Sequence, residues 1–165
     1  MADIKVKITV SKPSIKKFKV GGKTLTEALK VLNSREEWGV YDATQNPKSS
    51  ARQEKDGSIS AVTMTLSPVI ELPEWSGYSS ATKEQKKAWD DMVDALKAHE
   101  FRHHDIQVAS AADLEKKLKK LTAPTASDVN DLIKDQQESC QKAQDAYDAR
   151  SKHGAKEGVV LDEDA

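Results

Sequence analysis

The chain carries, at residues 89–106, the stretch WDDMVDALKAHEFRHHDI, in which the apolar positions follow a helical period. The positions that recur mostly at spacings of three or four are Trp89, Met92, Val93, Leu96, His99, His103 and Ile106. Side chains three and four positions apart share one face of an α-helix, so these residues form a single stripe. We therefore predict a long helix whose core-facing stripe carries two histidines.

Within this stretch, His99, Glu100 and His103 match the pattern H-E-x-x-H. Two histidines four residues apart on a helix can bind one zinc ion, and the glutamate between them can take a proton from water. The pattern predicts a zinc-dependent metallopeptidase, with Glu100 as the general base that acts in the hydrolysis of a peptide or protein substrate.

The helical pattern runs from Thr82 to Leu121, with no glycine or proline before Pro124. A helix of that length would extend about 60 Å, whereas a compact domain of this size is only about 40 Å across. We therefore expect the helix to break near Ser110 or to protrude. After Pro124, a second helix is predicted from a cap at Ser127 to about Arg150.

A hairpin of these two helices predicts where a third metal ligand lies. His103 precedes Leu121 by about 27 Å of helix, and the same distance from Ser127 ends within residues 145–153. The candidate ligands in or near that range are His153, Asp148, Asp145 and Glu138. We favour His153, the one histidine outside the HEFRHH run, and keep the three carboxylates as alternatives.

Three further roles are predicted around these ligands. Asp148, if it does not bind the metal, can accept a hydrogen bond from a ligating histidine. His104 lies about 100° around the helix from His103, so we expect it at the rim of the site. Tyr147 is a candidate catalytic residue whose hydroxyl would stabilise an oxyanion, with a packed aromatic ring as the alternative.

The N-terminal half alternates apolar and polar residues in the manner of β-strands. Extended segments are predicted at residues 4–10, 15–20, 38–41, 59–66 and 69–72, and a short helix is predicted after the capping box that starts at Thr24. The polar residues 46–57 contain Pro47, and we interpret them as a loop.

These elements predict an α+β, zincin-like fold. A small N-terminal antiparallel sheet with a short helix would pack on the long H-E-x-x-H helix, and the C-terminal helix would complete an antiparallel hairpin. We expect one domain over residues 1–154 and an acidic, flexible tail over residues 155–165.

Composition excludes several other classes of protein. A net charge of −1 gives no electrostatic reason to bind nucleic acid. No apolar run reaches about 18 residues, so no membrane span is predicted. The opening MADIKVKITV alternates, unlike the apolar core of a signal peptide, so we expect a cytoplasmic protein or an exported one whose signal has been removed. Oligomeric state is left open.

The chain resembles a bacterial domain family of otherwise unknown function that is described as predicted secreted zinc-dependent proteases. The resemblance runs from about Phe18 to Leu161. It rests on the β-rich segment 58–66, on Ala98-His99-Glu100 with His103, and on the tail YDARSKHG at residues 147–154. Members generally look exported and many carry paired cysteines, whereas this chain has one cysteine and Ser151 where threonine is common.

The resemblance implies a zincin-like site with His99 and His103 as zinc ligands, Glu100 as catalytic carboxylate and His153 as third ligand. The competing hypothesis is a non-catalytic zinc-binding module, in which the metal joins the long helix to the C-terminal segment and another surface binds a partner. A third hypothesis has no metal and treats the HEFRHH run as a surface cluster of charges.

Overall fold

The computed structural model describes residues 3–45 and 47–165, and the predicted α+β architecture is confirmed. The strands are β1 (Lys5–Val10), β2 (Ser14–Val20), β3 (Val40–Asp42), β4 (Lys48–Gln53), β5 (Ile59–Leu66) and β6 (Val69–Trp75). The helices are α1 (Leu25–Asn33), α2 (Lys83–Lys119) and α3 (Ala126–Ser151), with short 3-10 turns at Tyr78–Ser80 and Ala155–Glu157.

The strands form two three-stranded sheets, in the orders β1-β5-β4 and β2-β6-β3. Each central strand pairs in parallel with one neighbour and antiparallel with the other. The prediction of one antiparallel sheet is therefore wrong. Alternation along a strand specifies which face is buried, but it does not specify the partner, and the long connections here permit parallel pairing.

Strand β4 was not expected, because it falls in the segment interpreted as a loop. All six of its residues are exposed, so it carries no buried alternation that would signal a strand. Its pairing with β5 is what makes it extended. Of the predicted loop, Asn46 lies outside the described residues.

The chain divides into two compact units, each with its own sheet. The first unit comprises the described residues up to Pro13, Ala43–Pro68 and His104–Asp145. Its core is made by Ile4, Ile59, Val62, Met64, Leu114, Leu118 and Val129. The second unit comprises Ser14–Asp42, Val69–His103 and Ala146–Ala165. The stretches of the two units alternate along the chain, and the single domain over residues 1–154 stays a prediction.

Helix α2 is continuous over 37 residues and does not break at Ser110. A break was expected because the helix is longer than a domain with one core. In the structure, residues 83–103 of this helix belong to the second unit and residues 104–119 to the first. Within the first unit, α3 runs antiparallel to α2: the Gln136 amide donates to the backbone and side-chain oxygens of Ser110 at 3.1 and 3.0 Å. Helix α3 is capped by Thr125, not by Ser127, because Thr125 and Asp128 exchange capping hydrogen bonds.

The core of the second unit includes the apolar stripe of α2 at Trp89, Met92 and Leu96. Val159 and Leu161 are buried in the same cluster. These two residues belong to the segment that was expected to form a flexible acidic tail, and its flexibility stays a prediction. Among residues 3–45 and 47–165, no helix has the length and apolar character that a membrane span requires.

Candidate metal centre

The histidine pair of α2 lies inside the second unit. The exposed fractions of His99, Glu100 and His103 are only 3%, 4% and 7%. Burial of three polar or charged side chains on adjacent turns is unfavourable unless each has a partner. The helical stripe turns the histidines inward, as the spacing predicted, and the partners of the two histidines come from the C-terminal part of the chain.

Asp148 of α3 is the residue that meets both histidines. Its Oδ1 atom lies 3.0 Å from His99 Nε2 and 2.8 Å from His103 Nε2. The three ligand atoms lie within 4.8 Å of one another. The hairpin geometry predicted that residues 145–153 lie at the level of the HEFRH turn. Asp148, a carboxylate of that range, is the residue that lies there.

Glu157 holds the opposite side of the His99 ring. Its Oε1 atom is 2.8 Å from His99 Nδ1, and it also accepts a hydrogen bond from the Tyr147 hydroxyl at 2.7 Å. Arg102 Nε lies 3.4 Å from the other carboxylate oxygen. Burial opposes the charged form of Glu157, but the hydrogen bonds from His99 and Tyr147 outweigh it and hold the pKa of this carboxyl below its usual range.

This arrangement assigns the tautomer of His99. An ionised carboxylate only accepts hydrogen bonds, so the proton of a neutral His99 lies on Nδ1, facing Glu157. Its Nε2 atom then presents a lone pair to Asp148 Oδ1 at 3.0 Å. Two acceptor atoms facing each other repel, and a cation bound by both would remove the repulsion. Metal-ligating histidines commonly have this carboxylate on their second nitrogen.

Glu100 lies in a dry and negatively charged environment. Burial raises the pKa of its carboxyl to about 8, and the negative charges of Glu37 and Asp148 act in the same direction. A Cβ atom built on Gly39 would come within 3.0 Å of Glu100 Oε1, so the backbone before β3 lies directly against this carboxylate. A carboxyl with a pKa near neutrality can both take and return a proton.

His153 lies at the far oxygen of Asp148. Its Nδ1 atom is 3.9 Å from Asp148 Oδ2 and 3.9 Å from Glu37 Oε1. These three residues form a second group whose ligand atoms lie within 4.8 Å of one another. Burial and the negative charge of Asp148 raise the pKa of the Glu37 carboxyl, against the opposing effect of nearby histidines.

Unusual backbone conformation follows α3 at this point. Lys152 and His153 have φ values of 51° and 53°, and Gly154 follows at 89°. Left-handed conformations cost free energy for residues with a side chain, so two in succession are uncommon. A Cβ atom on Gly154 would lie 2.6 Å from Val159 Cγ2 and 3.2 Å from His99 Nδ1. The backbone of Gly154 therefore packs on the His99 ring.

The predicted residues are thus brought together only in part. Among the described residues, His99, His103 and Asp148 form one possible ligand group, and Glu37, Asp148 and His153 form the other. His104, Asp145 and Glu138 are in neither group. His153 as a ligand of the histidine pair stays a prediction, as does Tyr147 as a catalytic residue, because its hydroxyl contacts Glu157 here.

Glu37 and Glu157 were missed by the sequence argument. Each lies outside the periodic helices, Glu37 between α1 and β3 and Glu157 in a 3-10 turn after α3. The only signal for Glu157 was its position soon after Gly154, a glycine in the tail that carries the family resemblance.

The first group fits a divalent metal ion. Imidazole nitrogen and carboxylate oxygen both bind such ions with bonds of about 2.0–2.2 Å, so two ligands of one ion lie at most about 4.4 Å apart. The contacts of 2.8 and 3.0 Å between Asp148 and the histidines lie inside that limit. Two imidazoles and a carboxylate are suitable ligands for such an ion. The hydrogen bond between the second nitrogen of His99 and Glu157 would also orient the imidazole, as in other metal sites.

One protein family matches the chain over residues 15–154, and its description is "Bacterial protein of unknown function (DUF922)". No curated protein and no solved structure matches the chain.

Proposed function

We propose that this chain, which belongs to the bacterial family of unknown function DUF922, is a zinc-dependent hydrolase that cleaves peptide bonds. His99 and His103 would hold the ion through their Nε2 atoms, and Asp148 would supply a carboxylate oxygen. The observation that carries the proposal is the convergence of both Nε2 atoms on one oxygen of Asp148, while Glu157 occupies the other nitrogen of His99.

Zinc in such a site supplies Lewis acidity, which polarises a substrate carbonyl and makes water a better nucleophile. The proton transfers belong to Glu100. Its carboxylate takes a proton from the attacking water and returns it to the leaving amine, so that one group serves as base and then as acid. The burial of Glu100 on α2 and its pKa near 8 support a group that exchanges a proton in both directions.

Tyr147 and Glu157 act on His99 in this proposal. The ring of Tyr147 stacks on His99 with a centroid distance of 4.8 Å, and its hydroxyl donates to Glu157. The pair therefore sets the orientation of the imidazole and keeps its Nε2 lone pair directed at the ion. We propose Tyr147 as a positioning residue, and its catalytic role stays a prediction.

Substitution of Glu100 tests the proposal. Glu100→Gln preserves the size and burial of the side chain but removes the proton acceptor. We expect the purified variant to keep the zinc content of the wild type, measured by inductively coupled plasma mass spectrometry. Its hydrolysis of an unstructured protein such as casein should fall by about 10²–10⁴-fold.

Asp148→Asn, with Asp145→Asn as its control, tests the ligand set. Asp145 lies three residues earlier on α3 and is exposed. Zinc content should fall in the first variant and stay at the wild-type level in the second. Zinc retained with full hydrolysis in Glu100→Gln would refute the catalytic role, whereas zinc bound with no hydrolysis by the wild type would favour the non-catalytic module.

A further inference from the structure

We propose that Glu37, His153 and Asp148 form a second divalent-cation site, which shares Asp148 with the histidine pair and makes the centre dinuclear. The proposal rests on the proposed function only through this shared residue. In it, Asp148 Oδ1 faces the first ion and Oδ2 faces the second.

The two oxygens of Asp148 have different partners. Oδ1 contacts His99 Nε2 and His103 Nε2 at 3.0 and 2.8 Å. Oδ2 is instead approached by His153 Nδ1, at 3.9 Å. A carboxylate whose oxygens face separate donor groups can bridge two ions, and such pairs lie about 3.5–4 Å apart in two-metal sites.

The spacing of the second group suits a bound ion better than direct contacts. His153 Nδ1 lies 3.9 Å from both Asp148 Oδ2 and Glu37 Oε1, which is too long for a hydrogen bond. It is within the span of about 4.4 Å that two ligand bonds on one ion can reach. The three ligand atoms of the group lie within 4.8 Å of one another, and His153 makes no hydrogen bond to either carboxylate.

Charge gives a second reason for an ion here. The carboxylates of Glu37 and Asp148 approach within 4.8 Å. Two like charges at this separation repel each other. One divalent ion at the histidine pair leaves the Glu37 side of this cluster uncompensated, whereas a second ion would compensate it.

The second group also borders open space. Glu37 and His153 line a cleft of about 190 Å³ together with Trp38, Lys152 and Val159. The His153 side chain is 61% exposed, so an ion bound there would keep positions for water or substrate. The left-handed residues Lys152 and His153 present the imidazole to this cleft. The second ion would therefore lie on the cleft side of Asp148.

Metal counting tests the inference. Protein stripped with a chelator is titrated with Zn²⁺ by calorimetry, and bound metal is measured after gel filtration. Wild type should bind two equivalents, the second more weakly. Glu37→Gln and His153→Ala should each keep the tighter equivalent and weaken the other at least tenfold. The matched control is Glu36→Gln, because Glu36 is exposed and lines the same cleft but lies outside the group.

The remaining outcomes separate this inference from the proposed function. His99→Ala should lose the tighter equivalent. Two equivalents in wild type and one in Glu37→Gln support the second site. Suppose that wild type binds one equivalent of metal, which Glu37→Gln keeps and His99→Ala loses. That result overturns the second site and leaves the proposed function standing. One equivalent lost in both His99→Ala and His153→Ala means a single ion shared by all three histidines. No bound metal overturns both.

A spectroscopic measurement adds an independent criterion. Two Mn²⁺ ions bridged by Asp148 should show exchange coupling in the electron paramagnetic resonance spectrum. Glu37→Gln should restore the spectrum of an isolated ion. Two equivalents of Mn²⁺ without coupling would place the second ion elsewhere and overturn the bridging role.

Discussion

The backbone of Gly154 packs directly on a residue of the candidate metal centre, the imidazole of His99. Its φ of 89° favours glycine, and its Cα lies so close to His99 that even a methyl group would press on the ring. The orientation of His99 is therefore held from two directions, by the carboxylate of Glu157 and by the backbone after α3. A small change at Gly154 should affect both stability and metal binding.

Gly154→Ala is expected to lower the free energy of unfolding by about 3 kcal/mol or more, since strain and overpacking add. Gly57→Ala is the matched control: Gly57 has a φ of 88°, but the nearest atom to a Cβ there is 3.9 Å away. That variant should lose only about 1–2 kcal/mol. Urea unfolding measures both. If both variants lost the same free energy of unfolding, the close contacts of Gly154 with Val159 and His99 would not contribute to the effect of Gly154→Ala.

The titration of Glu100 gives a pH prediction for metal-free protein. Its folded pKa is about 8, above the value of 4.5 expected when unfolded, so the folded state binds the extra proton between these values. Stability from this group is present below about pH 4.5 and is lost as pH rises through 8. Relative to Glu100→Gln, wild type should lose on the order of 4 kcal/mol over this window.

Urea unfolding of both proteins at several pH values, with chelator present, measures this difference. Because glutamine does not titrate, subtraction of the two profiles isolates Glu100 from the histidines. A difference that stays constant between pH 5 and 8 would show that the carboxyl is not held neutral.

At the same residue scale, the sequence predicted the part of the site that obeys helical geometry. His99, Glu100 and His103 follow from spacing on one helix, and Asp148 was within reach of an estimate based on rise per residue. Glu37 and Glu157 lie in irregular backbone, where no period relates sequence position to place. His153 was favoured as the third ligand because it is a histidine, whereas its alternatives are carboxylates. Rise per residue cannot distinguish Asp148 from His153, because the chain turns sharply between them.

At the scale of elements, helices were predicted better than sheets because their hydrogen bonds are local. Helix α2 begins close to the predicted Thr82, and Thr82 and Gln85 exchange capping hydrogen bonds of 3.0 and 3.1 Å there. Strand pairing depends on residues distant in sequence, so the positions of β1 and β5 were predictable and their parallel register was not. Strand β4 is extended through pairing alone.

The segment after α3 gives a prediction at this scale. Leu161 is 8% exposed and packs in the core of the second unit, whereas its neighbour Val160 is 59% exposed. Leu161→Ala should lower the free energy of unfolding by about 2–4 kcal/mol. Val160→Ala should change it by less than about 0.5 kcal/mol. Similar small effects in chemical denaturation would support the view of this segment as a flexible tail.

At the scale of the whole molecule, metal binding should contribute to stability. An ion that binds only the folded protein stabilises it by about 2.7 kcal/mol when its concentration is 100 times Kd. Chelation should therefore lower Tm by several degrees in wild type, since 1 kcal/mol corresponds to about 2–4 °C at this size. His103→Ala serves as the control. A chelator effect of equal size in that variant would mean that the ion binds elsewhere.

Each unit is assembled from three separate stretches of chain, so the polypeptide passes from one unit to the other five times. Any contiguous fragment that contains all of one unit also contains most of the other. Neither unit can therefore be obtained alone by truncating the chain. A stop codon anywhere before α3 ends would remove part of the candidate metal centre. During synthesis the histidine pair emerges well before Asp148 and Glu157, so a ribosome-bound chain cannot complete the site until the residues up to Glu157 have left the ribosome.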